Sequence, residues 1–238
     1  MKKGSLFFTL LLSISIANSQ SLDEIINKHI NALGGKDKIK AVKTVHMEGV
    51  IIGQNGNEIN VNIWKEHNKL YRREINFGAG VGVQLITDKG GWNTDRQGVF
   101  NPMPEDIYKK QLYQMDCEGP LVDYTSKGHQ VELIGKETVD TKDFYKLKVT
   151  LNSGQEQFYY IDAVTFYIDH IKFKAGGFGG RNANPDAEIT ISFSNYDKTS
   201  DGFVFPFTTS TGGGFGGSLN FEKIEVNVPL EEKLYKGQ

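Results

Sequence analysis

Cys117 is the chain's only thiol, and it stands between Asp116 and Glu118. Carboxylates on both sides oppose thiolate formation, so the surroundings favour a small buried side chain over a nucleophile. The histidines are His29, His46, His67, His129 and His170. No two stand at metal-ligand spacing, and there is no His-Glu-x-x-His motif or cysteine pair. A Gly-x-Ser-x-Gly elbow is also missing from the sequence. Asp23-Glu24, Glu105-Asp106 and Glu231-Glu232 sit where helices would start or near the terminus, and solvated caps account for them better than acid–base work. Residues 77–82, 176–180 and 212–217 are glycine-rich, the last two sharing Gly-Gly-Phe-Gly-Gly. A phosphate cradle needs a strand before it and a helix after it, whereas each of these segments runs into a strand-like pattern. They read as hairpin loops, with Phe178 and Phe215 as apolar tips. The expectation is no catalytic residue, no metal ligand and no cofactor.

The elements that would position any site fall into three groups. Residues 1–19 have the layout of a secretory signal peptide. Lys2 and Lys3 precede an apolar run over 6–16, and Ala17-Asn18-Ser19 offers small residues for cleavage before Gln20. The run is far shorter than the roughly 20 apolar residues of a spanning helix. Residues 20–238 read as a single exported domain. Ser21 and Glu24 form a capping box, and Leu22, Ile25, Ile26, Ile30 and Leu33 make one apolar stripe that ends at Gly34-Gly35. From Thr44 onward the period is two. Ile59, Val61 and Ile63 alternate with asparagines, and Ile189, Ile191 and Phe193 alternate with hydroxyl residues. Turn signals such as Asn55-Gly56, Lys89-Gly90-Gly91, Asn152-Ser153-Gly154 and Asp201-Gly202 separate the runs. The reading is mainly β, with roughly ten or eleven antiparallel strands. Residues 101–115 form a helical insertion midway, opened by Asn101-Pro102 and Pro104-Glu105-Asp106.

The net charge of −2 favours neither nucleic acid nor an anionic membrane surface. Tyr159-Tyr160 and Phe173-Lys174 carry rings of the kind that stack on bases, but strand propensity accounts for them, and lipid or carbohydrate suits an exported protein better.

This order of elements resembles the bacterial lipoprotein-carrier fold, which includes the periplasmic lipoprotein carrier, its outer-membrane receptor and the outer-membrane lipoprotein-sorting proteins. The resemblance rests on Asn31-Ala32-Leu33-Gly34-Gly35 followed by Ile39 and Val42, and on Glu118-Gly119-Pro120-Leu121-Val122-Asp123-Tyr124. Lys127-Gly128-His129, Phe144-Tyr145-Lys146-Leu147, Tyr159-Tyr160-Ile161-Asp162, Asp201-Gly202-Phe203-Val204-Phe205-Pro206 and Ile224-Glu225-Val226-Asn227-Val228-Pro229 extend it over nearly all of residues 20–238.

The resemblance implies an incomplete antiparallel barrel with helices lying across the opening as a lid. It implies a soluble periplasmic carrier, not an enzyme, that takes lipid, acyl chains or an acylated protein across the envelope. Envelope export machinery is a further partner, nucleic acid is not, and membrane contact is transient at most. Ile63, Phe77, Leu147, Phe173, Ile189 and Phe193 are the wall residues it suggests, and Tyr108, Leu112 and Met115 the lid residues. Carriers of this fold use a barrel arginine that reaches the lid; Arg72 and Arg73 lie on a strand, and neither matches that role by motif. Two other readings stay open: an interaction module with a closed core, and an exported enzyme with a site assembled from distant residues such as Cys117 and a histidine.

Overall fold

The computed structural model describes residues 20–53, 56–175, 184, 186–212 and 217–237. The segment read as a signal peptide, Asn55 of one turn signal, and most of the two later glycine-rich loops, including Phe178 and Phe215, lie outside the described residues.

Helix α1 (Leu22–Ala32) begins as its capping box requires: the Ser21 hydroxyl accepts from the Glu24 backbone N–H at 3.2 Å. It ends at Gly34 and Gly35, with φ of 106° and 95°, conformations open to glycine at no steric cost. A second short helix, α2 (Lys36–Lys40), follows where the sequence suggested only a turn. Lys36 and Lys40 of this helix both pair with Asp123 and hold its carboxyl down at about 2.

Thirteen strands follow: β1 (Thr44–Ile52), β2 (Glu58–Glu66), β3 (Leu70–Asn76), β4 (Val81–Thr87), β5 (Gly90–Thr94) and β6 (Phe100–Pro102) before helix α3 (Glu105–Gln111) and a 3-10 turn (Leu112–Met115). Then come β7 (Gln130–Val139), β8 (Lys142–Thr150), β9 (Glu156–Asp162), β10 (Ile168–Lys174), β11 (Glu188–Lys198), β12 (Val204–Gly212) and β13 (Ser218–Val226). All pair antiparallel in one sheet of order β6-β5-β4-β3-β2-β1-β13-β12-β11-β10-β9-β8-β7. Strands β6 and β7 are its edges, so the barrel is incomplete.

The strand count exceeds the ten or eleven expected, and one reason is local. Asn101 and Pro102 read as a helix start, but they pair with Asn93 and Trp92 as strand β6. Proline is tolerated there because β6 is an edge, where a missing N–H breaks no ladder. The helix begins later, with Pro104 at its cap position and Glu105 and Asp106 in its first turn.

Residues directly opposite in an antiparallel pair share a face. The register therefore defines an inner face that runs through Ile86, Tyr71, Lys65 and Val45, and on through Ile191, Ile171, Tyr159 and Leu147. On β7–β10 this face is filled by α1. Ile25, Ile26 and Ile30 pack with Leu147, Val149, Tyr159 and Ile161 into a dry core. On β2–β4 it is covered by the 3-10 turn and α3, where Met115, Leu112 and Tyr108 meet Val61, Ile63 and Ile86.

On β3–β5 the outer face is covered by the C-terminal segment. Leu230, Leu234 and Tyr235 pack on Leu70, Leu85 and Trp92. Arg72, 8% exposed, fastens the segment by donating to the Leu234 and Lys236 carbonyls at 3.2 and 3.1 Å while pairing with Glu74 at 2.7 Å.

Candidate functional site

Between the two helical covers, strands β11, β12, β13 and β1 turn an apolar row inward. Phe193 and Ile191 of β11 stand opposite Thr209 and Thr211 of β12, and Leu219 and Phe221 of β13 stand opposite Ile51 and Gly49 of β1. Phe193, Ile191, Phe207, Leu219, Phe221 and Met47 are all half-buried, neither sealed into the cores at either end nor fully in solvent. The strip is continuous with the cluster under α3, since Met47, Leu219 and Phe221 also touch it.

The expected wall residues separate on this frame. Ile63, Leu147, Phe173, Ile189 and Phe193 all lie on the inner face by register. Leu147 is fully buried beneath α1 and belongs to a closed core. Ile63 and Phe173 are buried, and Ile189 and Phe193 are half-buried beside the strip. Phe77 departs from the expectation: it follows the end of β3, where the chain turns through Gly78 at φ 79°, and it is 61% exposed.

The three residues expected to form a lid come together with Ile63. Hydrogen bonds tie this cover to the sheet and to the β2–β3 turn. The Tyr108 hydroxyl donates to the Thr87 carbonyl at 2.8 Å, and Met103 N–H to Gly91 O at 2.8 Å. Asn68 N–H donates to Met115 O at 3.0 Å, and Lys65 Nζ to Asp116 O at 2.8 Å.

The two arginines of β3, which the sequence matched to no role, point to opposite faces. Arg72 turns outward to the C-terminal segment, and Arg73 turns inward opposite Ile63 and Gln84. The basic side chain that touches the lid is Lys65, on the neighbouring strand. Strand alternation separates Arg72 from Arg73 in the sequence, but nothing there says that Lys65 faces a carbonyl fifty-one residues away.

Two clusters bring potential metal ligands within 4.8 Å of one another, His67–Asp116–Glu118 and His46–Glu48–Glu225. Each already contains a lysine. Lys127 Nζ lies 2.7 Å from Asp116 and 3.0 Å from Glu118, and Lys223 Nζ lies 2.9 Å from Glu225. The ammonium groups neutralise these carboxylates, so both clusters are ion-pair networks. Sequence spacing missed them because their members come from separate strands and loops.

Cys117 is not set up as a nucleophile. Its thiol faces the Met115 carbonyl at 3.9 Å, and His67 Nδ1 accepts the Cys117 backbone N–H at 3.2 Å. Burial first, then Asp116 and Glu118, push the thiol above its usual range against the pull of Lys65. The flanking acids gave the right direction, but burial is the larger cause.

Two concavities open elsewhere. One, of about 410 Å³, is lined by Glu48, Asn60, Asn62, Glu74, Asn76 and Glu222, and the other, of about 430 Å³, lies beside it near Asn57 and Phe77. Their polar walls suit water better than a hydrocarbon chain.

No protein-family model matches the sequence, and no curated protein matches it. Solved structures do. A LolA-superfamily protein from Nitrosomonas europaea superimposes with a TM-score of 0.57 at 12% identity, over 92% of this chain and 98% of that one. The fold is LolA-like. A DUF1329-family protein from Desulfovibrio piger superimposes with a TM-score of 0.58 at 12% identity, over 92% of this chain and 98% of its own. A lipoprotein-sorting domain from Vibrio parahaemolyticus aligns at a TM-score of 0.47 and 14% identity, over 89% and 94% of the two chains. Among the described residues no helix is long and apolar enough to cross a membrane.

Proposed function

We propose that the protein is a carrier, exported to the periplasm, that holds lipid or the acyl chains of an acylated protein on its inner face. The observation behind this reading is the half-buried apolar strip. It starts at the cluster under α3 with Met47, Leu219 and Phe221 and continues over Phe207, Phe193 and Ile191, which belong to the cluster of neither helical cover. An ordinary core would bury those side chains; here Phe193, Leu219 and Phe221 keep surface available to a ligand. Each methylene placed on such a surface gains about 0.8 kcal/mol when fully buried, so a long chain binds without any polar anchor. The LolA-like fold supports the same reading, as the neighbour from Nitrosomonas europaea is a LolA-superfamily protein. The cover made by α3 and the 3-10 turn is small and rests on few hydrogen bonds, which suits a ligand that must be released.

Titration with an apolar fluorescent dye tests the reading. Saturable binding that lipid displaces, and that Phe193→Asp abolishes while the melting transition survives, is the expected result. Dye binding that does not saturate, or that Phe193→Asp leaves unchanged, would count against a ligand on this strip.

A further inference from the structure

The inner face carries a charge that its fold does not use. Arg73 stands on β3 between Tyr71 and Ile75, both members of the apolar cluster under α3. Its cross-strand neighbours are Ile63 on one side and Gln84 on the other, and Gln84 in turn stands opposite Asn93. The row therefore runs Asn93, Gln84, Arg73, then Ile63, Met47 and Ile224: polar at the β5 end, apolar at the β13 end.

Arg73 is half-buried, among the described residues its guanidinium has no ion pair and no hydrogen bond, and its charge acts on the Tyr71 hydroxyl. The adjacent arginine shows the contrast, since Arg72 is satisfied by one carboxylate and two carbonyls. Lys65, the other cation on the inner face of β2 and β3, is used by the Asp116 carbonyl. The acidic residue of β3, Glu74, is on the outer face with Arg72. A half-buried arginine with its donors free, at the edge of an apolar surface and with no carboxylate in ion-pair contact, is complementary to an anion.

We propose that the inner face selects amphiphiles with a single anionic head, a long-chain fatty acid being the simplest. Arg73 pairs with the carboxylate, Gln84 adds an amide donor, and the chain runs past Ile63, where the side chains of α3 and the 3-10 turn give way to it, and over Met47 onto the apolar strip. The inference rests on the carrier reading and narrows it, because a ligand held by its chains alone would bind equally well without the charge. The guanidinium fork matches a carboxylate in two parallel hydrogen bonds, which a lysine cannot reproduce.

The test uses the full exported chain with two probes, dansyl-labelled undecanoic acid and its methyl ester, against the native protein, Arg73→Gln and Arg73→Lys. The native protein should bind the acid about tenfold more tightly than the ester. Arg73→Gln should erase that preference by weakening the acid alone, and Arg73→Lys should restore part of it. Equal binding of acid and ester by the native protein overturns the inference and leaves the carrier reading standing. So does an Arg73→Gln variant that keeps the preference, or one that loses both probes equally. Failure of the native protein to bind either probe overturns both.

Discussion

At the residue scale, the sharpest consequence of burial falls on His29. It lies on the packed face of α1, and its Nδ1 is 2.8 Å from the Phe166 carbonyl, so the neutral ring donates there. Burial lowers its pKa below the usual 6.5, and the Phe166 contact offsets this only in part. The folded state therefore resists the proton more than the unfolded state does. The stability His29 contributes is complete above about 6.5 and is lost as pH falls from there through its lowered folded value. His129, lowered by burial and then by Lys127, acts in the same direction. The melting temperature should fall between about pH 7.5 and about pH 5, and His29→Gln should flatten the slope, leaving the part due to His129. An unchanged slope in His29→Gln would show that the buried imidazole is not what titrates. His29 falls at the helical spacing of the α1 stripe, i+4 from Ile25 and i+3 from Ile26, so its place on the packed face follows from the period. Its partner, the Phe166 carbonyl from far along the chain, is not legible in the sequence.

At the scale of elements, local rules served where local forces decide. The Ser21 cap and the glycine stop of α1 stand where the sequence places them, and Ile189, Ile191 and Phe193 of β11 share one face by register. They fail where pairing decides. Asn101-Pro102 carries helix-start chemistry, yet the free edge of β5 takes it as a strand. Strands β1 and β13 show a second limit. Their register shifts between Glu48 and Gly49, and there a Cβ on Gly49 would sit 2.4 Å from the Asn220 carbonyl oxygen and 2.9 Å from the Phe221 Cα. Both are backbone atoms that cannot step aside. Gly49→Ala should cost about 1–3 kcal/mol by forcing the two strands apart. Gly80→Ala, with nothing within 4 Å of its Cβ, is the matched control and should melt within a degree or so of the native protein. Equal melting of the two variants would mean that the bulge is looser than this geometry. Gly49 is not distinguishable in the sequence from glycines that merely turn, because its reason is a neighbour roughly 170 residues away.

At the scale of the whole molecule, one sheet does three jobs. Its inner face is closed at one end by α1, covered at the other by α3 and the 3-10 turn, and left apolar and half-open between them. Its outer face is covered on β3–β5 by the C-terminal segment that Arg72 holds down. The antiparallel class, the opening helix and the mid-chain helical cover were legible because each is written in a periodicity. The division of the inner face into filled core and open strip was not. Leu147 and Phe193 look alike as apolar residues of alternating strands, and only the position of α1 buries one and leaves the other accessible. The same holds for Phe77, whose place beyond the end of β3 puts it in solvent. The most direct test of a carrier is therefore what it holds when isolated. The protein should be purified from the envelope of the cells that make it and studied by native mass spectrometry with lipid extraction. The account predicts a stoichiometric acyl-chain ligand, or a ligand-free protein that takes one up when lipid is added. A protein that arrives empty and ignores added lipids and lipopeptides would contradict it.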